Sequence, residues 1–300
     1  MPKRLVVFGG SGFVGGNLAR LALDLGWEVT VADTRAGPAG EWRAADITDP
    51  ASVQAAVAAL HPDAVVNVAA VADIDLAQKN QDLAYRVNVD GARFVAAACA
   101  SLRTPYVFFS SDAVFDGLSP SYTEEDEPRP LNYYGWTKSE AEKAVAAAHP
   151  GASIIRISLV LGFPLASGNS FMAGLFAKLR EGKSVIAPTY EIRTPVDVRT
   201  LSECVLELCL KPVPGILHIG ATDSISRCDL TRVLAQHMGF SENLVTPQEQ
   251  PEDIPGRAPR HKNGVICVDK ARAILRTPLL STAAGIERAF QTRPASFPLE

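Results

Sequence analysis

Leu5-Val6-Val7-Phe8-Gly9-Gly10-Ser11-Gly12-Phe13-Val14-Gly15 decides the fold. Four apolar residues in a row suit a strand buried on both faces. Glycines at 9, 12 and 15 then make G-x-x-G-x-x-G, and Phe13, Val14, Leu18, Leu21, Ala22 and Leu25 recur at helical spacing. Strand, glycine turn and helix start, in that order, make a cradle for phosphate. The missing Cβ atoms let the backbone turn tightly and approach an anion. The helix N-terminus adds free N–H groups and the positive end of its dipole.

Outward from this turn, Glu28 to Ala32 reads as a second strand and ends at Asp33. A carboxylate at that place accepts hydrogen bonds from the adenosine ribose hydroxyls and repels a 2′-phosphate, so Asp33 points to NAD. Arg35, two residues on, could reach a 2′-phosphate and keeps NADP open. Asp46 and Ile47 follow the next short strand, where they would meet the adenine edge. Ala51 to Leu60 is a helix with Asp49 as N-cap and Pro50 at its first position. Further apolar runs at Ala64 to Val68, Pro105 to Phe109 and Ser153 to Ser158 alternate with helices at Leu83 to Leu102 and Tyr134 to Ala148. Buried strands linked by helices imply parallel crossovers, so the fold class is α/β, a doubly wound parallel Rossmann sheet. The pattern changes after Leu161. The expected division is a cofactor-binding domain over 1–161, with a segment near 191–220 returning to the sheet. A smaller, mixed, discontinuous substrate-binding region covers 162–300.

The composition narrows the function. The 300 residues are 47% hydrophobic and 21% charged, with a net charge of -4. No basic stripe favours nucleic acid. The apolar run Ala64 to Ala72 is too short to span a bilayer, and the N-terminal residues show no signal-peptide core. The five cysteines and five histidines are scattered without metal-ligand spacing. The expectation is a cytoplasmic protein with reduced cysteines, no metal, and neither nucleic acid nor membrane as partner.

Chemistry enters with Tyr134-Gly135-Trp136-Thr137-Lys138. Tyr134 and Lys138, four apart on a helix, share one face. An ammonium beside a phenol lowers the phenol's pKa, which lets tyrosine exchange protons near neutral pH. The pair follows the strand that ends in Ser110-Ser111-Asp112, at the edge where open α/β sheets bind ligands. Ser111 could donate a hydrogen bond to a substrate oxygen.

These residues resemble the extended short-chain dehydrogenase/reductase superfamily from Leu5 to about Asp269, and within it the dTDP-4-dehydrorhamnose reductase family. Ser110-Ser111-Asp112-Ala113-Val114-Phe115-Asp116-Gly117 is similar to that family's S-T-D-Y-V-F-D-G stretch, and Tyr134 to Lys138 to its Y-G-x-T-K helix start. Arg156 to Gly162 resembles the R-x-x-x-x-x-G segment that closes the cofactor domain. The resemblance implies that Tyr134 protonates the carbonyl oxygen, that Lys138 binds the nicotinamide ribose, and that Ser111 orients the carbonyl. It implies a cofactor groove lined by Gly9, Ser11, Gly12, Phe13, Val14, Gly15, Asn67, Ala69, Ala70 and Ser110. Asn88 would fix backbone at the active site and belong to the same groove. Val71 and Asp112 are the substrate candidates beside the catalytic set.

Two departures stand out. Gln78 replaces the glutamate that some family members use in a metal-bridged dimer, so no such metal is expected. The C-terminal R-P-x-N-S-x-L-D pattern is here the longer Arg260-His261-Lys262-Asn263-Gly264-Val265-Ile266-Cys267-Val268-Asp269, without the proline. Arg193, Arg257 and Arg260 are candidates for a substrate phosphate or carboxylate, since arginine pairs bidentately with both; any one of them could equally be a solvated surface arginine.

The leading reading is an NAD(P)H-dependent reductase, or the reverse dehydrogenase, of a sugar or nucleotide-sugar carbonyl, working as a homodimer. A second is an NAD-dependent nucleotide-sugar epimerase or dehydratase, although Ala113 stands where a dehydratase needs a second carboxylate. A third is a non-catalytic cofactor-binding regulatory subunit, a role that one subunit of methionine adenosyltransferase performs on this scaffold.

Overall fold

The computed structural model describes residues 1–166, 168–252 and 255–297. Its first half alternates strands and helices: β1 (Arg4–Phe8), α1 (Phe13–Asp24), β2 (Glu28–Asp33), β3 (Glu41–Ala44), α2 (Pro50–Leu60), β4 (Ala64–Asn67), α3 (Ile74–Lys79), α4 (Gln81–Tyr85), α5 (Ala92–Leu102), β5 (Tyr106–Ser111), α6 (Tyr133–Ala148) and β6 (Ser153–Ile157). The second half holds β7 (Val160–Leu161), α7 (Phe171–Arg180), β8 (Val185–Pro188), β9 (Ile192–Arg193), β10 (Val196–Asp197), α8 (Val198–Leu210), β11 (Gly215–Ile219), β12 (Ile225–Ser226), α9 (Arg227–His237), β13 (Val245–Gln248), β14 (Asn263–Gly264), α10 (Asp269–Ile274) and α11 (Thr282–Gln291).

Seven strands form one parallel sheet in the order β11-β6-β5-β4-β1-β2-β3. This is the doubly wound order with a seventh strand added at one edge. Chain direction across the sheet reverses between β1 and β4, which opens a crevice at the carboxyl ends of those strands.

Alternation along the strands builds the two faces. Leu5 and Val7 of β1 meet Leu18 and Leu21 of α1 and Leu201 and Val205 of α8. Val6 and Phe8 point the other way, onto Val53 of α2, Val95 of α5 and Val145 of α6. Each such side chain contributes about 1.5–3 kcal/mol on burial. A separate cluster, with Phe163, Leu175 and Phe176 against Leu230, Leu234 and Ile286, packs α7, α9 and α11 together in the C-terminal part. The short strands β12, β9 and β14 form a three-stranded mixed sheet there.

The single helix expected over Leu83 to Leu102 is broken. Arg86–Gly91 is a π-helical turn between α4 and α5. Such a bulge re-aims side chains. Here it turns Asn88 inward, where its amide bonds both Val71 N and Val71 O and donates to Thr137 Oγ1 at 2.9 Å. Among the described residues, no helix is long and apolar enough to cross a membrane.

Candidate active site

A cleft of about 530 Å³ opens at the switch point, within the range that ligand clefts occupy. Gly9, Ser11 and Gly12 form its floor, and Asp33, Arg35, Asp46, Ile47, Ala69 and Ala70 its walls. The glycine turn is shaped for close approach. Gly9 has φ +82°, and a Cβ there would lie 2.5 Å from Ala69 N. At Gly15 a Cβ would lie 2.4 Å from Gly9 O, so only glycine lets α1 start this close to the turn. A Cβ on Gly12, the N-cap of α1, would meet nothing closer than Gly9 O at 3.5 Å, which leaves room at the helix start. A tight turn, open space above it and the unpaired first-turn amides of α1 fit the pyrophosphate of a dinucleotide.

Asp33 lies at the end of β2. Its carboxylate accepts from Ser11 N at 3.2 Å and Thr34 N at 2.7 Å. Arg35 Nε donates to Ser11 Oγ at 3.0 Å, so acid and guanidinium stand side by side at the cleft wall. Asp46 Oδ1 bends the next turn by accepting from Thr48 N and Oγ1, each at 2.8 Å. Leu83, Arg86 and Val87 also line the cleft. They belong to the end of α4 and the π-helical turn, and the smooth helical periodicity of that stretch conceals them.

At the end of β5, Ser111 Oγ donates to Asp112 Oδ1 at 3.1 Å and accepts from Ala113 N at 3.1 Å. Asn132 caps α6, its side chain accepting from Gly135 N at 2.8 Å, and this sets Tyr134 in the first turn. Burial pushes the Tyr134 phenol up to about 12; a hydrogen bond with Ser111 pulls it down, and the Asp112 charge raises it further. Lys138 is buried one turn on, its ammonium 4.3 Å from the centre of the Phe108 ring. Burial lowers its pKa to about 7, against the charge of Glu142, which raises it. The expected lowering of the tyrosine by Lys138 does not appear: the ammonium lies over Phe108, and only Ser111 lowers the phenol against burial and Asp112. A phenol kept protonated at neutral pH is a proton donor.

Several expected cofactor residues face elsewhere, for reasons of strand alternation. Ser110 and Asn67 share the face of Phe108 and Val65, under α5 and α6. Ser110 Oγ donates to Glu142 Oε1 at 2.5 Å. Asn67 Nδ2 donates to Tyr106 OH, and its Oδ1 receives Ala69 N at 3.0 Å, which shapes the cleft wall from behind. Phe13, Val14 and Gly15 contribute helix backbone rather than cleft lining, and Asn88 and Val71 bond each other. Glu142 also forms a buried two-point pair with Arg156, at 2.8 Å for both bonds. The signal for this pair lay in the sequence: an arginine inside the apolar strand β6 and a glutamate four residues after Lys138.

The substrate candidates divide. Arg257 and Arg260 line a second cavity of about 450 Å³ with Tyr190, Glu191 and Lys262. Arg260 is oriented by a bidentate pair with Asp75, at 2.7 and 2.8 Å, and this guanidinium is the main reason the Asp75 carboxyl falls to about 2. Arg193 is buried, and its donors go to protein: Ile192 O, Lys262 O, His261 O and Glu191. It braces the wall of the site. Asp112 is also buried. Its Oδ2 accepts from Ser158 Oγ at 2.7 Å and lies 3.4 Å from His261 Nε2 and 3.8 Å from Arg193 Nε. Burial opposes its charge, but His261, Arg193 and Ser158 together hold its pKa down to about 2. Gln78 Oε1 accepts Tyr133 N at 3.1 Å and so anchors the start of α6.

A family model described as RmlD substrate binding domain matches residues 3–293. A dTDP-4-dehydrorhamnose reductase of Mycobacterium tuberculosis (strain ATCC 25618 / H37Rv) is 32% identical over 265 residues, covering 86% of this chain and 83% of that protein. Methionine adenosyltransferase 2 subunit beta of Xenopus tropicalis is 27% identical over 286 residues, covering 92% and 84%. Among solved structures, dTDP-4-dehydrorhamnose reductase from Bacillus anthracis str. Ames in complex with NADP superposes with a TM-score of 0.88 at 27% identity, covering 97% of this chain and 99% of that one.

Proposed function

The chain belongs to the family of the RmlD substrate binding domain, and on that footing we propose that it is an NAD(P)H-dependent reductase of a nucleotide-sugar carbonyl, of the dTDP-4-dehydrorhamnose reductase type. The observation that carries this reading is the hydrogen bond between Ser111, at the carboxyl end of β5, and Tyr134, in the first turn of α6, in the same sheet whose strand ends hold the dinucleotide cleft, with Lys138 one turn further along α6. The cofactor, when bound, supplies the hydride. Ser111 orients the carbonyl oxygen by a hydrogen bond. Tyr134, protonated at neutral pH, gives its proton to that oxygen as charge develops on it. Lys138 holds the nicotinamide ribose. Asp33 favours NADH and Arg35 admits NADPH. Cavity residues Arg257, Arg260 and Lys262 take the anionic part of the substrate. The reading includes the division at 1–161 and 162–300, a homodimer and a cytoplasmic location; light scattering after gel filtration tests the dimer.

The test is Tyr134→Phe, assayed by NADH and NADPH oxidation with dTDP-4-dehydrorhamnose. Loss of the acid lowers kcat by about 10²–10⁴-fold and leaves cofactor binding intact. Unchanged turnover removes Tyr134 from the mechanism. The likeness to a methionine adenosyltransferase subunit supports a second, non-catalytic reading. The intact catalytic set stands against it; a partner that co-purifies with a chain inert towards every ketone tested would establish it.

A further inference from the structure

Arg260 and Lys262 line the second cavity, while His261 between them is buried. His261 lies just before β14, where the chain bends at Lys262 and turns the imidazole inward. The segment runs into β14, and Ile192 N donates to Lys262 O at 2.9 Å, which ties it to β9. The inward side chain, His261, places Nε2 3.4 Å from Asp112 Oδ2; the other oxygen of that carboxylate accepts from Ser111 Oγ at 3.1 Å. Two glycines make room for the imidazole. A Cβ on Gly117 would lie 2.8 Å from His261 Cβ, and one on Gly264 would lie 2.5 Å from its Nε2. Arg193 grips both ends of the contact, donating to His261 O and Lys262 O at 3.0 Å each, with its Nε 3.8 Å from Asp112.

We propose that His261 is a positioning residue that couples the second cavity to the reacting centre: a diphosphate held by Arg257, Arg260 and Lys262, which line that cavity with Glu191 and Glu252, fixes the backbone around His261, which fixes Asp112 and through it the Ser111 hydroxyl. This rests on the reductase reading only for the nature of the anion. The consequence is that the nucleotide part of the substrate raises turnover at a carbonyl it does not touch, as binding energy from a remote group can.

Amide hydrogen exchange across residues 110–116 of the full chain, with dTDP as probe, tests the coupling. dTDP should slow exchange there in the wild-type protein, by about tenfold for one strengthened charge-assisted hydrogen bond. His261→Ala should bind dTDP within about threefold of wild type yet lose that protection, while His261→Gln, which keeps a side-chain N–H donor, should restore it. In turnover of dTDP-4-dehydrorhamnose, His261→Ala should lower kcat about tenfold with KM within about threefold. Failure of dTDP to bind, binding without protection of 110–116 in the wild-type chain, or full protection in His261→Ala each overturns the proposal. A wild-type chain that shows the protection but turns over no substrate supports the coupling and counts against the reductase reading alone.

Discussion

Replacing Gly135 by alanine tests how Tyr134 and Ser111 are brought together. Gly135 is buried in the first turn of α6. A Cβ built on it lies 2.0 Å from Ala113 O and 2.9 Å from the Ala113 carbonyl carbon. Both are backbone atoms of the 3₁₀ turn Asp112–Val114 that follows Ser111, so no side chain can swing aside. Ordinary contact begins at 3.4 Å, so helix and turn must part by the difference, about 1.4 Å. Tyr134 rides on one side of that gap and Ser111 on the other. Misplacement of reacting groups by about 1 Å can cost 10²-fold, and forcing extra volume into a packed site costs about 1–3 kcal/mol. Gly135→Ala should therefore lower kcat by about 100-fold and stability by about 1–3 kcal/mol, while cofactor affinity, set at the glycine turn, persists. Gly174→Ala is the control. Gly174 is exposed in α7 with nothing within 4 Å of an added Cβ. There alanine should stabilise by up to about 1 kcal/mol through helix propensity and leave turnover unchanged. Steady-state NAD(P)H oxidation and urea unfolding read the two quantities. A Gly135→Ala enzyme with wild-type kcat would show that the close approach of α6 to the turn does not position the pair.

Two further outcomes concern buried charge. Arg156→Met leaves Glu142 buried without its ion-pair partner, and should cost about 3–5 kcal/mol in urea unfolding; pairing it with Glu142→Leu should recover much of that loss, and no recovery would mean the charge is not what destabilises. For Lys138 the folded pKa, about 7, lies below its ordinary 10.5. The unfolded chain then binds more protons between those values, so this group lets stability rise as pH climbs from about 7 to 10. Below about 7 its full burial cost applies. Lys138→Met should therefore raise the melting temperature of the cofactor-free protein by several degrees at pH 6, with the gain shrinking towards pH 10; a gain independent of pH would assign it to packing.

Most of the sheet was legible because its strands carry their own signal. Leu5 to Phe8, Ala64 to Val68 and Ser153 to Ser158 are short, largely apolar runs, and each lies within a residue of the strand it predicts. The π-helical turn at Arg86–Gly91 was not legible. A one-residue bulge shifts the register of side chains without disturbing the apolar periodicity on either side, so nothing in Leu83 to Leu102 announces it. Yet the bulge is what turns Asn88 towards Val71 and Thr137, and it brings Arg86 and Val87 to the cleft.

Within the site, residue type was easier to read than direction. Asp33, Arg35, Asp46 and Ile47 meet at one cleft because they lie at or just beyond the ends of β2 and β3, neighbouring strands of the same sheet, and strand ends are ordered by topology. Ser110 and Ser111 are chemically alike and adjacent, but the pleat sends one hydroxyl to Glu142 under α6 and the other to Asp112 at the site. Arg260 and Lys262 are likewise separated from His261, which is buried while they line a cavity. A cluster of four basic residues, Arg257, Arg260, His261 and Lys262, looks uniform as a sequence. Folded against β9, it presents three of its cations to a cavity and one imidazole to a buried carboxylate beside Ser111. The sequence distance from His261 to Asp112 hides this contact; the pairing of β14 with β9, the bracing by Arg193 and the bonds from Asn132 to Pro259 and from Asn263 to Ser119 bring the two together. The departure from the family pattern at 260–269 thus includes His261, and on the coupling we propose it falls on the stretch between the second cavity and Ser111, where a change in substrate preference is expected.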